Sequence, residues 1–123
     1  MNCVQLTGNL VRDLDLKRTP SGMSVTNGTI AIQRAIKSKN GQETDFVEFV
    51  AWQTHAEYLA KYAHKGDRLE LIGRLESRKY IDKDNRSVTV WEVIVDNALA
   101  LNKKDPEEKK EETKKEYIEG LPF

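Results

Sequence analysis

Up to about Asn102 the chain alternates apolar and polar residues with the two-residue period of half-buried β-strands. Val4, Leu6 and then Leu10 with Val11 predict a first strand from about Cys3, with Gly8 as a bulge or a point of close approach. Thr19-Pro20-Ser21-Gly22 predicts a turn. Ser24 to Ile36 predicts a long second strand, and Lys39-Asn40-Gly41 a hairpin tip after it. A third strand is expected from Thr44 to Gln53 and a fourth from Arg68 to Tyr80. After the turn Asp82-Lys83-Asp84-Asn85, a fifth runs from Ser87 to about Val95, with a continuation through Leu99-Ala100-Leu101.

One segment has a different period. Ala56, Leu59, Ala60 and Ala63 recur at helical spacing. Thr54-His55-Ala56-Glu57 has the form of a capping box, with Thr54 capping the helix and Glu57 reaching back. Gly66 is the expected C-terminal stop. Three strands, a short helix and two more strands is the connectivity of an all-β, five-stranded OB-fold barrel. On periodicity alone an SH3-like barrel is the rival.

Strand parity then sorts the side chains by face. In the third strand Val47, Phe49 and Ala51 share one face, and Phe46, Glu48, Val50 and Trp52 share the other. In the fourth, Leu69, Leu71, Gly73 and Leu75 form the expected core set. Arg68, Glu70, Ile72, Arg74, Glu76, Arg78 and Tyr80 then face outward. Rings at Phe46, Trp52 and Tyr80, interleaved with Arg74 and Arg78, are what a stacking platform for unpaired bases needs: π-faces for the bases, cations for the phosphates. The same residues could instead form a second buried layer or a subunit interface. Trp91 shares parity with Val93 and Val95, which points to a tryptophan packed at the barrel edge, with stacking as the alternative.

Composition narrows this further. With 123 residues the chain suits one domain with a modest core. No apolar run is long enough to cross a bilayer, and the N-terminus lacks a signal-peptide stretch, so a cytoplasmic, nucleoid-associated protein is expected. Twenty basic and 20 acidic residues cancel, so any affinity for nucleic acid must come from where charge is placed. Cys3 is the single cysteine, which excludes a disulfide framework and a cysteine-based zinc site; a buried, inert thiol is expected. His55 and His64 read as helix-surface residues without metal-ligand spacing. There is no phosphate loop, His-x-x-x-His or nucleophile elbow, and Asp13 and Asp15 read as loop charges. The expectation is a binding protein with no catalytic residues, metal or cofactor.

Past Asn102 the pattern ends. Residues 103–116 hold six lysines and six acids, broken only by Pro106 and Thr113, a composition with nothing to bury. Apolar residues return in Tyr117-Ile118-Glu119-Gly120-Leu121-Pro122-Phe123. The expected organisation is a barrel over 1–102, a flexible linker over 103–116 and a partner-binding tip over 117–123, with Ile118, Leu121, Pro122 and Phe123 as its contacts.

These residues resemble the bacterial and phage-type single-stranded DNA-binding protein family over essentially the whole chain. Asn2 to Leu10 is similar to the family's opening strand and Asp45 to Trp52 to its third. Leu59-Ala60 through His64-Lys65-Gly66 resembles its helix and exit, Gly73 to Tyr80 its Gly-x-Leu-x-x-Arg-aromatic strand, and Trp91 to Val95 its Thr-Glu-Val-Val stretch. The closing Gly-Leu-Pro-Phe resembles its Pro-Phe tip. The resemblance implies a tetrameric OB-fold that wraps single strands, stacking bases on Phe46, Trp52 and Tyr80 and holding phosphates with Lys65, Arg78 and Lys79. A fourth stacking position falls on Ile36, which has no ring. Glu48 stands where relatives often carry a basic or neutral residue.

The leading expectation is therefore sequence-independent binding of single-stranded DNA in replication, recombination and repair, with partner enzymes recruited through the tip. An OB-fold RNA-binding or primosome-type accessory module is the alternative, and a pure interaction adaptor a third.

Overall fold

The alternation along the chain carries through into burial, strand by strand. The computed structural model describes residues 1–36, 39, 41 and 43–101. Its elements are β1 (Val4–Leu10), β2 (Lys17–Arg18), β3 (Ser24–Gln33), β4 (Thr44–Trp52), α1 (Thr54–Tyr62), β5 (Arg68–Ile81) and β6 (Ser87–Ala100). The five long strands run in the order β1-β5-β6-β4-β3, and β1 also pairs with β3, which closes the ring. Closure leaves the barrel without an open edge. This is the expected OB-fold barrel; β2 adds two residues on the flank of β3.

The inner faces meet around Phe49, which is fully buried with Leu10, Ile30, Leu69, Leu71 and Val93. Ala56 and Leu59 of α1, with Ala63 just after it, join the same core, so the helix plugs one end of the barrel. Truncating Phe49 would cost about 3–5 kcal/mol. The ring closes where β1 meets β3, at Asn9↔Ala31 and Leu10↔Ile30. A Cβ on Gly8 would stand 2.7 Å from the Ala31 carbonyl oxygen, so glycine is needed for that approach.

The helix is bounded differently from the expectation. Gln53, not Thr54, is the N-cap, with φ 57° and ψ −125° and no side-chain cap. The Gln53 N–H donates to the Ser24 carbonyl (2.8 Å), so the chain turns sharply out of β4 while still tied to β3. Glu57 does not reach back, because its carboxylate accepts from the buried Ser24 hydroxyl (3.2 Å) instead. A buried hydroxyl needs a partner more than an exposed helix end does. At the other end, extended Ala63 stops the helix. Gly66 turns the chain three residues later, its N–H donating to the Leu10 carbonyl.

Three further expectations change. Cys3 precedes β1 and is exposed, not buried. The second predicted strand ends at Gln33, short of Ile36. Leu75, assigned to the core, is exposed, as is every β5 residue from Arg74 onward. The reason is length: β5 and β6 have 14 residues each and outrun the barrel as a two-stranded arm. Of the hairpin tip Lys39-Asn40-Gly41, Asn40 lies outside the described residues, as do 103–116 and 117–123 with Ile118, Leu121, Pro122 and Phe123. No described helix is long and apolar enough to cross a membrane.

Candidate nucleic-acid interface

The outer face of β4 carries Phe46, Glu48, Val50 and Trp52, as parity predicts. Phe46 is 66% exposed and Trp52 37%. Six residues of extended strand separate the two rings by about 20 Å, several nucleotide spacings apart. Phe46 lies opposite Ala31 and Trp52 opposite Val25, so small or β-branched neighbours leave their faces open.

The arm carries the other two rings, on opposite faces. Ser77 pairs with Trp91 and Lys79 with Thr89, which puts Trp91 and Lys79 on one side. Arg78 pairs with Val90 and Tyr80 with Val88, on the other side. Trp91 keeps the inward parity of Val93 and Val95, but the barrel no longer lies beneath it. At 60% exposure it is not the packed edge tryptophan that parity suggested. The Arg78 guanidinium stands 5.8 Å from the Tyr80 ring centre, a cation–π arrangement that holds both groups toward solvent.

β4 and β6 pair in parallel only at Phe49↔Val93 and Val50↔Ile94. Beyond that short ladder a notch of about 520 Å³ opens between β4 and the arm. Phe46, Val47 and Glu48 line it on one side, and Leu75, Thr89 and Trp91 on the other. Phe46 and Trp91 are thus brought together, whereas Trp52 and Tyr80 stand apart from them. This notch is the feature the sequence concealed, since it depends on where two strands diverge.

The cations are less free than their positions in the sequence implied. Arg74 pairs with both Glu76 and Asp96, and Arg78 with Glu92 at 3.2 Å. The alternation of Arg74 and Glu76 on one face was the available signal for this self-compensation. Lys65 is exposed at the α1–β5 turn, its N–H bound to the Asp13 carboxylate (2.8 Å), at the helix end of the barrel and away from Arg78. Lys79 is exposed beside Trp91's face.

At the root of the β3–β4 hairpin, Arg34 donates twice to Asp45, at 3.0 Å each, and once to Glu43 at 2.7 Å. The hydrogen bonds from Arg34 hold the Asp45 carboxyl below the usual carboxylate range, and Asp45 raises Arg34 in turn. The clamp fixes the strands beneath the loop where Ile36 is exposed. Among the described residues, no three His, Cys, Asp or Glu side chains gather as a metal site.

Comparison with known proteins supplies the family. A family model described as the single-strand binding protein family matches residues 1–101. A single-stranded DNA-binding protein of Streptococcus pneumoniae is 38% identical over 109 residues, covering 88% of this chain and 70% of the relative. One from Streptococcus mutans is 40% identical over 102 residues, covering 82% and 62%. A single-stranded DNA-binding protein 2 of Listeria monocytogenes is 38% identical over 106 residues, covering 85% and 66%. With the described barrel matched from end to end, the chain belongs to the single-strand binding protein family.

Proposed function

We propose that the chain binds single-stranded DNA, without reading a sequence motif, in replication, recombination and repair. One observation carries this: four exposed rings, Phe46, Trp52, Tyr80 and Trp91, follow the barrel wall and the arm with Arg74, Arg78 and Lys79 among them. Unpaired bases stack on the rings while the cations track the backbone. Lys65 extends the phosphate track toward the helix end. The reading is of a binding protein and assigns no catalytic step.

The exposed apolar residues Ile72 and Leu99 on the β1–β5–β6 wall support self-association, which we assign as a homotetramer. Residues 103–116 act as a tether in this reading, and Ile118, Leu121, Pro122 and Phe123 recruit replication and repair enzymes in the cytoplasm.

Intrinsic fluorescence tests the central claim directly, because the chain's two tryptophans, Trp52 and Trp91, both lie on the proposed surface. Titration with a thymine homopolymer should quench them, and a matched duplex should not. An equal or stronger response to RNA of the same length would move the assignment to an RNA-binding module. No response to any single strand would overturn it.

A further inference from the structure

The notch between β4 and the arm differs in chemistry from the rest of the proposed surface. It has two exposed rings, Phe46 and Trp91, and one carboxylate, Glu48, and no lysine or arginine lines it. The Glu48 carboxylate forms no hydrogen bond or ion pair with any described residue, although the carboxylates of Glu76, Glu92 and Asp96 on the arm strands are each held by an arginine. A carboxylate left free beside two rings repels a phosphate. It attracts a flat group that carries N–H donors on its edge.

We infer that this notch seats an unpaired base bearing an exocyclic amino group, with Glu48 accepting from that group and Phe46 and Trp91 offering it their faces. Cytosine and adenine present such a donor, at N4 and N6, on an otherwise accepting edge. Thymine presents carbonyl oxygens on both sides of its single N–H, and these oppose the carboxylate. Lys79 lies diagonal to Trp91 on the same face of the arm, where it can meet the phosphate beside the seated base. The outcome is a preference for amino-bearing bases laid over motif-independent binding. This inference rests on the single-strand reading above and adds a specificity-determining residue to it.

The test compares cytosine and thymine homopolymers of equal length by tryptophan quenching, for the full chain and for Glu48→Ala and Glu48→Gln. Glu48 is exposed on its strand, so both variants should fold, which circular dichroism and the melting temperature check. The wild type should favour cytosine. Both variants should bind thymine more tightly, and the cytosine-to-thymine affinity ratio should fall by about tenfold or more, the worth of one charge-assisted hydrogen bond. If both homopolymers gain equally, Glu48 is only a repelling charge and the inference is wrong. If the notch instead holds a second copy of the chain, Trp91→Ala lowers the oligomeric mass in light scattering and leaves the base ratio unchanged. That result also overturns the inference. Failure of the wild type to bind either homopolymer would remove the underlying single-strand reading instead.

Discussion

The side chain of Asn2 pairs with the main chain of Leu75 in both directions, its amide donating to the Leu75 carbonyl and its oxygen accepting from the Leu75 N–H, each at 2.9 Å. The β1–β5 ladder otherwise ends at Val4↔Gly73. Asn2 thus adds a further rung from a side chain, at the point where the arm leaves the barrel. Asn2→Ala should cost about 1 kcal/mol, because the freed groups are exposed and water replaces the lost partner. Hydrogen exchange should speed up at the Leu75 amide and remain unchanged at Leu71. Equal acceleration at both would show that the rung acts on the whole barrel.

Gly73, two residues before, should tolerate nothing larger. A Cβ there would run into the Ile94 carbonyl, where a register shift between Ile72 and Gly73 brings β5 close to β6. The obstacle is backbone, which cannot swing aside as a side chain can. Gly73→Ala should therefore destabilise by at least about 2 kcal/mol in urea melts. A near-neutral result would mean that the bulge relaxes freely.

Trp52→Ala should weaken single-strand binding by about 1–3 kcal/mol and leave the melting temperature nearly unchanged, since the ring is largely outside the core. Tyr80→Ala should behave in the same way. An unfolded Trp52 variant would return that residue to a packing role.

Binding should weaken as salt rises, and the ion pairs on the arm shape how steeply. Arg74 is shared between Glu76 and Asp96, so it reaches a phosphate only by leaving them. Neutralising both partners, as Glu76→Gln with Asp96→Asn, should raise affinity. It should also steepen the plot of log affinity against log salt by up to about 0.7, the increment for one phosphate contact on a single strand. An unchanged slope would remove Arg74 from the contact set.

The Arg34–Asp45 clamp predicts a dependence on acid. The Asp45 pKa is lower in the folded state than in the unfolded one, so its contribution is complete above the ordinary carboxylate value. That contribution is lost as pH falls through the depressed value. Both side chains are exposed, so the effect is local. From about pH 6 down to about pH 2, the protection of amides in the β3–β4 hairpin, taken relative to the intrinsic exchange rate at each pH, should fall more in the wild type than in Asp45→Asn. Parallel profiles would show that the clamp does not hold the hairpin.

Where a residue's environment follows from its own strand, the alternation was a sufficient guide. Val47, Phe49 and Ala51 face the core, and Phe46 and Trp52 face away, as their spacing requires. Parity misled at Leu75 and Trp91, because it gives the side of a strand and not where the neighbouring sheet stops. The capping box failed for a related reason: Ser24, 33 positions from Glu57 in sequence, competes for its carboxylate across the fold. Lys17–Arg18 carries no pattern of its own and is a strand only because β3 passes beside it. The ring of stacking candidates was legible from local spacing. The free carboxylate between two of them was not, since it needed the divergence of β4 from β6.

The two-stranded arm has a consequence in time as well as in space. Two strands without a core between them are marginally stable in water, so the arm should open and close far more often than the barrel that anchors it. On the proposed reading, a single strand laid across it would supply the missing packing partner and so couple capture to ordering in a single equilibrium. Each turn of the ligand around the protein would then be won and surrendered by the fraying and annealing of one hairpin, while the barrel beneath stays intact.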